Sequence, residues 1–356
     1  MSTLTATAAG HSSQHHSTEL ERAIARDPGP FRILTGDRPT GPLHIGHYFG
    51  TLANRVRLQD EGVELIVLIA DYQALTDRVA TVQLEEDVLG LVADYLAAGI
   101  DPDRSTIFAH SQVEALNQLL LPFLSLVSVA EIARNPTVKE EMAAGGSGAM
   151  TGLMFAYPVH QAADILSCRA NLVPVGKDQL PHLELSRVIA RRFNERYCPD
   201  GGYFAEPAAL LSQAPLLLGL DGRKMGKSLG NSVSLRATAD QTARLVAKAT
   251  TDSERLISYD PERRPEVSNL VLIAALCRDE SPEIIADQVG AGGAVALKSA
   301  VTEAVNERFA GIRARRAELA ADRGYLRAVL AEGNERTCAL AAETLGAVRR
   351  LMHTSY

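Results

Sequence analysis

The run ELIVLIAD at 64–71 limits the possible folds of this chain more than any other segment. Its apolar and β-branched residues are consecutive rather than alternating, which suits a strand covered on both faces. The run lies within a repeating pattern. FRILTG at 31–36 is a short apolar run, and 44–59 has helical spacing. After 64–71 come an amphipathic helix over 81–98 that stops near Gly99, a strand at 105–111 (STIFAHS) and a helix over 113–129. This alternation predicts an α/β chain, with a doubly wound parallel sheet covered by helices on both faces.

The pattern breaks at 134–152, where Gly-Gly-Ser-Gly marks a mobile loop. It resumes with a helix from Pro158 to Ser167, whose proline suits the first helical position. A strand at 171–176 and a helix over 180–197 follow. The segment APLLLGLDGRKMGKSLGN, 214–231, reads as a strand, a tight Asp-Gly turn and a basic loop. Beyond Ser232 the remainder reads as helices joined by polar turns. Three parts are therefore expected: a polar, disordered tail over 1–30, a sheet domain over 31–231, and an α-helical domain over 232–356.

The formal charge of −7 over 356 residues excludes a uniformly basic nucleic-acid binder, so any such contact must be local. One candidate is 308–350, which has nine arginines against five acidic residues. Charge alone reads this segment as a solvated face with arginine stems on apolar surface; the functional reading is an RNA-backbone contact. Cys168, Cys198, Cys277 and Cys338 form no CxxC pair, which points to a reducing compartment. No apolar run approaches the ~20 residues of a membrane span, and a cytoplasmic location is expected.

Two short stretches carry chemistry. In GPLHIGH, 41–47, Gly41 and Pro42 turn the chain after the first strand, and a helix begins near Leu43–His44. The free N–H groups of a first helical turn can hold an anion. His44 and His47 lie on one side of that turn. Gly46 lets a flat ring approach the backbone. Histidines also serve as caps, so the turn alone is ambiguous. In RKMGKS, 223–228, Lys224 and Lys227 sit in a glycine-containing loop, suited to a polyphosphate whose charge shifts during reaction. An exposed basic turn is the simpler reading of such a pair on its own; the distant histidine turn makes it the weaker one.

HIGH at 44–47 with KMGKS at 224–228 resembles the class I aminoacyl-tRNA synthetases, whose hallmark motifs are HIGH and KMSKS. Gly226 stands where that family usually has serine. The resemblance implies a Rossmann catalytic domain that activates an amino acid with ATP and Mg²⁺ and then acylates tRNA.

A third stretch bears on the amino acid. Tyr157, Gln161 and Asp164 share one helix face by their spacing. Tyr157 and Gln161 can contact an α-amino group, and Asp164 can accept a hydrogen bond from a side-chain donor. The stretches Asn135–Lys139, Tyr157–Ile165 and Val173–Glu184, with GDRPTG at 36–41, resemble the tryptophanyl-tRNA synthetases, particularly the bacterial form. That resemblance extends over 31–350. It implies that Asp164 binds the indole N–H, and that Tyr157 and Gln179 hold the α-amino and carboxylate ends. It implies ATP contacts from Arg38, Pro39, Thr40, Gly46, His47, Gly176, Lys177, Asp178 and Leu217, and from the loop residues Lys224, Met225, Gly226, Lys227 and Ser228. Lys177 stands where an acidic residue is common in that family. L-tryptophan, tRNA(Trp) and a homodimeric partner follow as expectations.

Tyrosyl-tRNA synthetase is the nearest alternative, since phenol and indole each present one donor and a single carboxylate cannot separate them. A small-molecule nucleotidyltransferase also uses an HxGH turn, but accounts for neither the lysine loop nor the helical C-terminal third. A synthetase-like RNA binder without catalysis would not need both histidines and both lysines.

Overall fold

The computed structural model describes residues 16–76, 83–136, 138–139, 150–176, 179–212, 214–226 and 229–356. Its sheet has strands β1 (Arg32–Asp37), β2 (Glu64–Ile69), β3 (Ser105–Ala109), β4 (Leu172–Val175) and β5 (Ala208–Leu211). All are parallel, in the order β3-β2-β1-β4-β5. The chain winds outward through β2 and β3, then crosses over β1 to build β4 and β5 on the other side. A crevice therefore opens between the carboxyl ends of β1 and β4, where such sheets bind ligands.

The apolar run of β2 is buried at every position after Glu64, as a strand covered on both faces requires. Helices α1 (Ala53–Asp60), α2 (Leu84–Ala98), α3 (Gly152–Ser167) and α4 (Leu180–Tyr197) cover the sheet. Glu85, Glu86 and Asp87 lie in the first turn of α2, where the helix dipole favours them; Gly99 ends it at φ 117°. Beyond β5 the long elements are helical: α5 (Ala239–Ala247), α6 (Pro265–Arg278), α7 (Gly293–Ala321) and α8 (Arg323–Leu351).

Several expectations need correction. The tail expected to be disordered over 1–30 is helical over 16–26. Ile24 is fully buried there. Ser17 Oγ accepts from the Leu211 N–H at 3.0 Å and donates to the Ala209 carbonyl at 3.4 Å. This covers the open edge of β5. The strand expected within 214–231 is instead β5, earlier in the chain. Leu216 is 81% exposed, so that leucine run is not a buried strand. The helix placed at Pro158 starts at Gly152, where Thr151 Oγ1 caps it by accepting from the Met154 N–H at 3.2 Å. Pro158 is therefore an interior proline, which has no N–H for the carbonyl four residues back. The expected helix over 113–129 breaks into Glu114–Gln118, Leu120–Leu124 and Val129–Arg134. Of the expected mobile loop at 134–152, the stretch 140–149 lies outside the described residues.

The chain beyond 232 does not leave the sheet. A Cβ on Gly333 would lie 1.9 Å from the Ile107 carbonyl oxygen, so α8 packs flat on β3. Asn334 Oδ1 accepts from the Ala109 N–H at 3.0 Å. Four of the nine arginines of 308–350 pair with carboxylates of this chain: Arg316 with Asp94, Arg323 with Glu86, Arg327 with Glu85 and Arg336 with Glu332. All four cysteines are free thiols, and among the described residues no helix is long and apolar enough to cross a membrane.

Candidate active site

The crevice at the β1/β4 switch is a cleft of about 1510 Å³. Single drug-sized ligands occupy roughly 300–1,000 Å³, so it has room for two molecules side by side. One end is built by the turn after β1. Gly41, at φ 102°, takes a conformation that favours glycine. The chain then makes a short helical turn, Ile45–His47. The His44 N–H donates to His47 Nδ1 at 3.2 Å, so the neutral His47 ring carries its proton on Nε2. The two imidazole centroids are 3.7 Å apart.

The basic loop is held against this turn. The Ile45 N–H donates to the Val233 carbonyl at 3.0 Å, and the Leu235 N–H to the Leu43 carbonyl at 2.9 Å. A Cβ on Gly46 would lie 2.7 Å from Met225 Sδ. Asn231 braces the loop from beneath: its Oδ1 accepts from the Gly226 N–H at 3.0 Å, and its Nδ2 donates to the Lys224 carbonyl at 3.0 Å and to Asp221 Oδ1 at 2.8 Å. That amide and Arg223 hold the Asp221 carboxyl down at about 2.

The cleft wall brings together most of the residues singled out from the sequence. Arg38, Pro39, Thr40, His44, His47, Tyr157, Gln161, Asp164, Gly176, Gln179, Met225 and Gly226 all line it. Gly46, Leu217 and Lys224 do not; Leu217 is buried in the core beneath. Lys177, Asp178, Lys227 and Ser228 lie outside the described residues.

At the far end Asp164 is 1% exposed. His110 Nδ1 lies 3.4 Å from its Oδ1, while its Oδ2 is buried with no hydrogen-bond partner. Beside it, Asn135 Nδ2 lies 3.3 Å from His182 Nδ1, and His182 Nε2 lies 3.2 Å from the Tyr157 hydroxyl. The asparagine amide thus sets the imidazole that donates to Tyr157.

Three groups on or near this wall escaped the reading of the sequence. Asp37 ends β1 and lines the cleft. Burial opposes its ionisation, but Arg55 Nη1 at 2.6 Å and the Tyr95 hydroxyl, donating at 2.8 Å, hold the carboxyl down at about 2. Burial and the Asp37 charge push the Tyr95 phenol up. His110 directly follows β3. Its signal was its place at the carboxyl end of a parallel strand, where ligands sit. Asp94, in α2, is buried and paired with residues far along the chain, which no local pattern announces.

The arrangement can hold an anionic nucleotide on backbone N–H groups and imidazoles at one end, and can present a buried carboxylate to a hydrogen-bond donor at the other. Residues 26–310 match the family described as tRNA synthetases class I (W and Y). The tryptophan–tRNA ligase of Streptococcus pyogenes serotype M1 is 41% identical over 336 residues, spanning 91% of this chain and 98% of that one. The corresponding ligase of Streptococcus pneumoniae serotype 4 is 41% identical over 337 residues, with 91% and 98% covered. Among solved structures, the tryptophanyl-tRNA synthetase of Campylobacter jejuni complexed with ADP and tryptophan superimposes with a TM-score of 0.79 at 29% identity, covering 91% of this chain and 100% of that one.

Proposed function

The chain belongs to the class I tRNA synthetases of the W and Y type, and we propose that it is a tryptophan–tRNA ligase. It activates L-tryptophan with ATP, releasing pyrophosphate, and transfers the tryptophanyl group to the terminal adenosine of its tRNA. The similarity to tryptophan–tRNA ligases over nearly their full length carries this reading.

The tryptophan carboxylate attacks the α-phosphorus of ATP in line, the bond from that phosphorus to the α,β-bridging oxygen breaks, pyrophosphate leaves, and the adenylate forms. A ribose hydroxyl of the tRNA then attacks the adenylate carbonyl and releases AMP. Such chemistry asks the protein for positioning and charge stabilisation rather than covalent work. His44 and His47 take the nucleotide and the charge growing at the α-phosphate, with Arg38, Pro39, Thr40, Gly46 and Gly176 around it. The loop Lys224, Met225, Gly226, Lys227 and Ser228 stabilises the departing pyrophosphate; Lys177 and Asp178 complete the ATP contacts, and Leu217 supports the nucleotide end from the core beneath. Asp164 accepts the indole N–H, and Tyr157, Gln161 and Gln179 hold the α-amino and carboxylate ends.

Mg²⁺ prefers oxygen ligands and retained waters. Among the described residues, the cluster close enough to hold an ion has two imidazoles and lies at the Asp164 end. The residues present therefore fit an ion carried on the ATP phosphates rather than in a protein cage, where it would supply counter-charge to the leaving pyrophosphate. The helical region after 232 engages the tRNA. A homodimer accords with Leu121 and Val129, which stand 74% and 71% exposed on neighbouring helices. The site of action is the cytoplasm.

Pyrophosphate exchange into ATP, run with each aromatic amino acid in turn, tests the reading. Tryptophan should drive exchange and tyrosine barely at all; equal stimulation by the two would overturn it. Charging of bulk tRNA with tryptophan then tests the second step.

A further inference from the structure

His110, His160 and Asp164 form a buried cluster whose ligand-type atoms come within 4.8 Å of one another. Its hydrogen bonds determine where the protons sit. The Tyr72 backbone N–H lies 2.7 Å from His110 Nε2 and 3.0 Å from Asp71 Oδ1. Asp71 Oδ1 also lies 3.3 Å from Nε2, but the Tyr72 N–H is nearer and points at that nitrogen, so the neutral ring carries its proton on Nδ1. That proton faces Asp164 Oδ1 at 3.4 Å. With Nε2 taken by the Tyr72 N–H and Nδ1–H turned to Asp164, neither nitrogen of this ring offers a free lone pair, so the cluster is not read as a cation site.

His160 is set the opposite way. Asn117 Nδ2 donates to the carbonyls of His110 and Val113 at 2.8 and 3.0 Å, which turns Asn117 Oδ1 toward His160 Nε2 at 2.8 Å. Nε2 must therefore be the protonated nitrogen of His160, and Nδ1, buried without a hydrogen-bond partner, is bare. Burial depresses the His160 pKa and keeps the ring neutral. A bare Nδ1 has no proton to offer Asp164. His110 is thus the donor that claims one carboxylate oxygen, and Asp164 Oδ2 is left buried on the cleft wall without a protein donor.

We propose that His110 is a positioning residue for amino-acid selection: by donating Nδ1–H to Oδ1, it fixes the Asp164 carboxylate with Oδ2 presented to the side-chain N–H of the substrate. The inference rests on the tryptophan reading above. It separates two substrates of nearly equal shape, because an analogue with no N–H leaves Oδ2 unpaired in a dry site. A histidine that merely fills space would not make that distinction.

The experiment compares tryptophan with its benzothienyl analogue, in which sulfur replaces the indole N–H, by amino-acid-dependent pyrophosphate exchange. His110→Leu should lower kcat/KM for tryptophan about 10- to 100-fold, mainly through KM, while changing that for the sulfur analogue by no more than about threefold. His110→Asn, whose Nδ2 can stand in for the imidazole Nδ1–H, should bring the ratio back to within about threefold of the starting protein. Equal losses for both substrates in His110→Leu, or a ratio that stays intact, would overturn the proposal. In the unmutated protein, the ¹⁵N shifts of the His110 ring should report the proton on Nδ1; a proton on Nε2 would also overturn it. A starting protein that uses tyrosine as well as tryptophan defeats the ligase reading itself, and does so before any variant is made.

Discussion

Asp94 Oδ1 accepts from Arg316 Nε at 2.5 Å, joining α2 to α7 across 222 residues of chain. The same carboxylate takes Arg236 Nε and Nη2 at 3.2 and 3.1 Å, and the Leu43 N–H at 3.3 Å. Its side chain is fully buried, with two guanidinium groups around it. One carboxylate therefore ties together the turn that carries His44, the segment that follows the basic loop, and the long helix α7.

Asp94→Asn should be severely destabilising. It removes the counter-charge from Arg236 and Arg316 and leaves both partly buried. Breaking a buried ion pair from one side costs about 3–5 kcal/mol, well above the contribution of an exposed pair. Urea unfolding of the purified variant measures this. Because Leu43 loses its charged acceptor, the KM for ATP in pyrophosphate exchange should rise more than that for tryptophan. A loss of stability with both KM values unmoved would show that Asp94 serves the fold alone.

The Asp37–Arg55 pair should make stability depend on pH in acid. The folded carboxyl sits at about 2, below its ordinary value of 3.8. A depressed carboxyl contributes stability that is present above the unfolded value and is lost as pH falls through the folded one. The contribution is whole above about pH 5 and fades progressively toward pH 2. Asp37→Asn leaves Arg55, whose side chain is 3% exposed, without its partner. The gap in Tm between the unmutated chain and this variant should hold steady from neutral pH to about 5 and narrow below that. A gap independent of pH would mean that the carboxylate charge is not what stabilises the pair.

Gly46 is where the histidine turn meets the basic loop. A methyl there would lie 2.7 Å from Met225 Sδ and 3.1 Å from the His44 ring. The thioether can swing aside, so the fold should survive with little change in Tm. The displaced loop should not: a shift on the order of 1 Å near reacting groups costs up to about a hundredfold in rate. Gly46→Ala should lower the kcat of exchange, and adding Met225→Ala should recover part of it. Absence of any recovery would locate the damage at His44 rather than at the loop.

The strength of local patterning decided what could be read from the sequence. β2 announced itself because ELIVLI has no polar interruption, and α4 because Leu180–Tyr197 keeps one apolar face over its whole length. β5 is only the four residues AALL, too short to outweigh the stronger leucine run after it. The cap at Thr151 is masked in the sequence because Pro158 resembles a helix start and the actual start lies beside the glycine-rich stretch. The cleft residues of 38–47 and 157–164 could be found because each group sits within one turn or helix. His110, Asp94 and the Arg55 partner of Asp37 were not, because their meaning comes from residues brought near only by folding.

Gly333 provides the sharpest test of how the C-terminal helix sits on the sheet. It lies inside α8, where replacement of glycine by alanine favours the helix by about 0.8–1 kcal/mol. Against that, the added methyl would lie 1.9 Å from the Ile107 carbonyl oxygen and 2.7 Å from its carbon. Those are backbone atoms of β3 and cannot swing away, so the helix itself must lift. Overpacking of this kind costs about 1–3 kcal/mol or more, which exceeds the gain. Gly333→Ala should therefore lower Tm. Gly311 in α7, with nothing within 4 Å of the corresponding methyl position, supplies the contrast. Gly311→Ala should raise Tm, because there only the propensity term acts. A rise in Tm for both variants would mean that α8 stands off from β3, and that the helices after 232 form a body separate from the sheet.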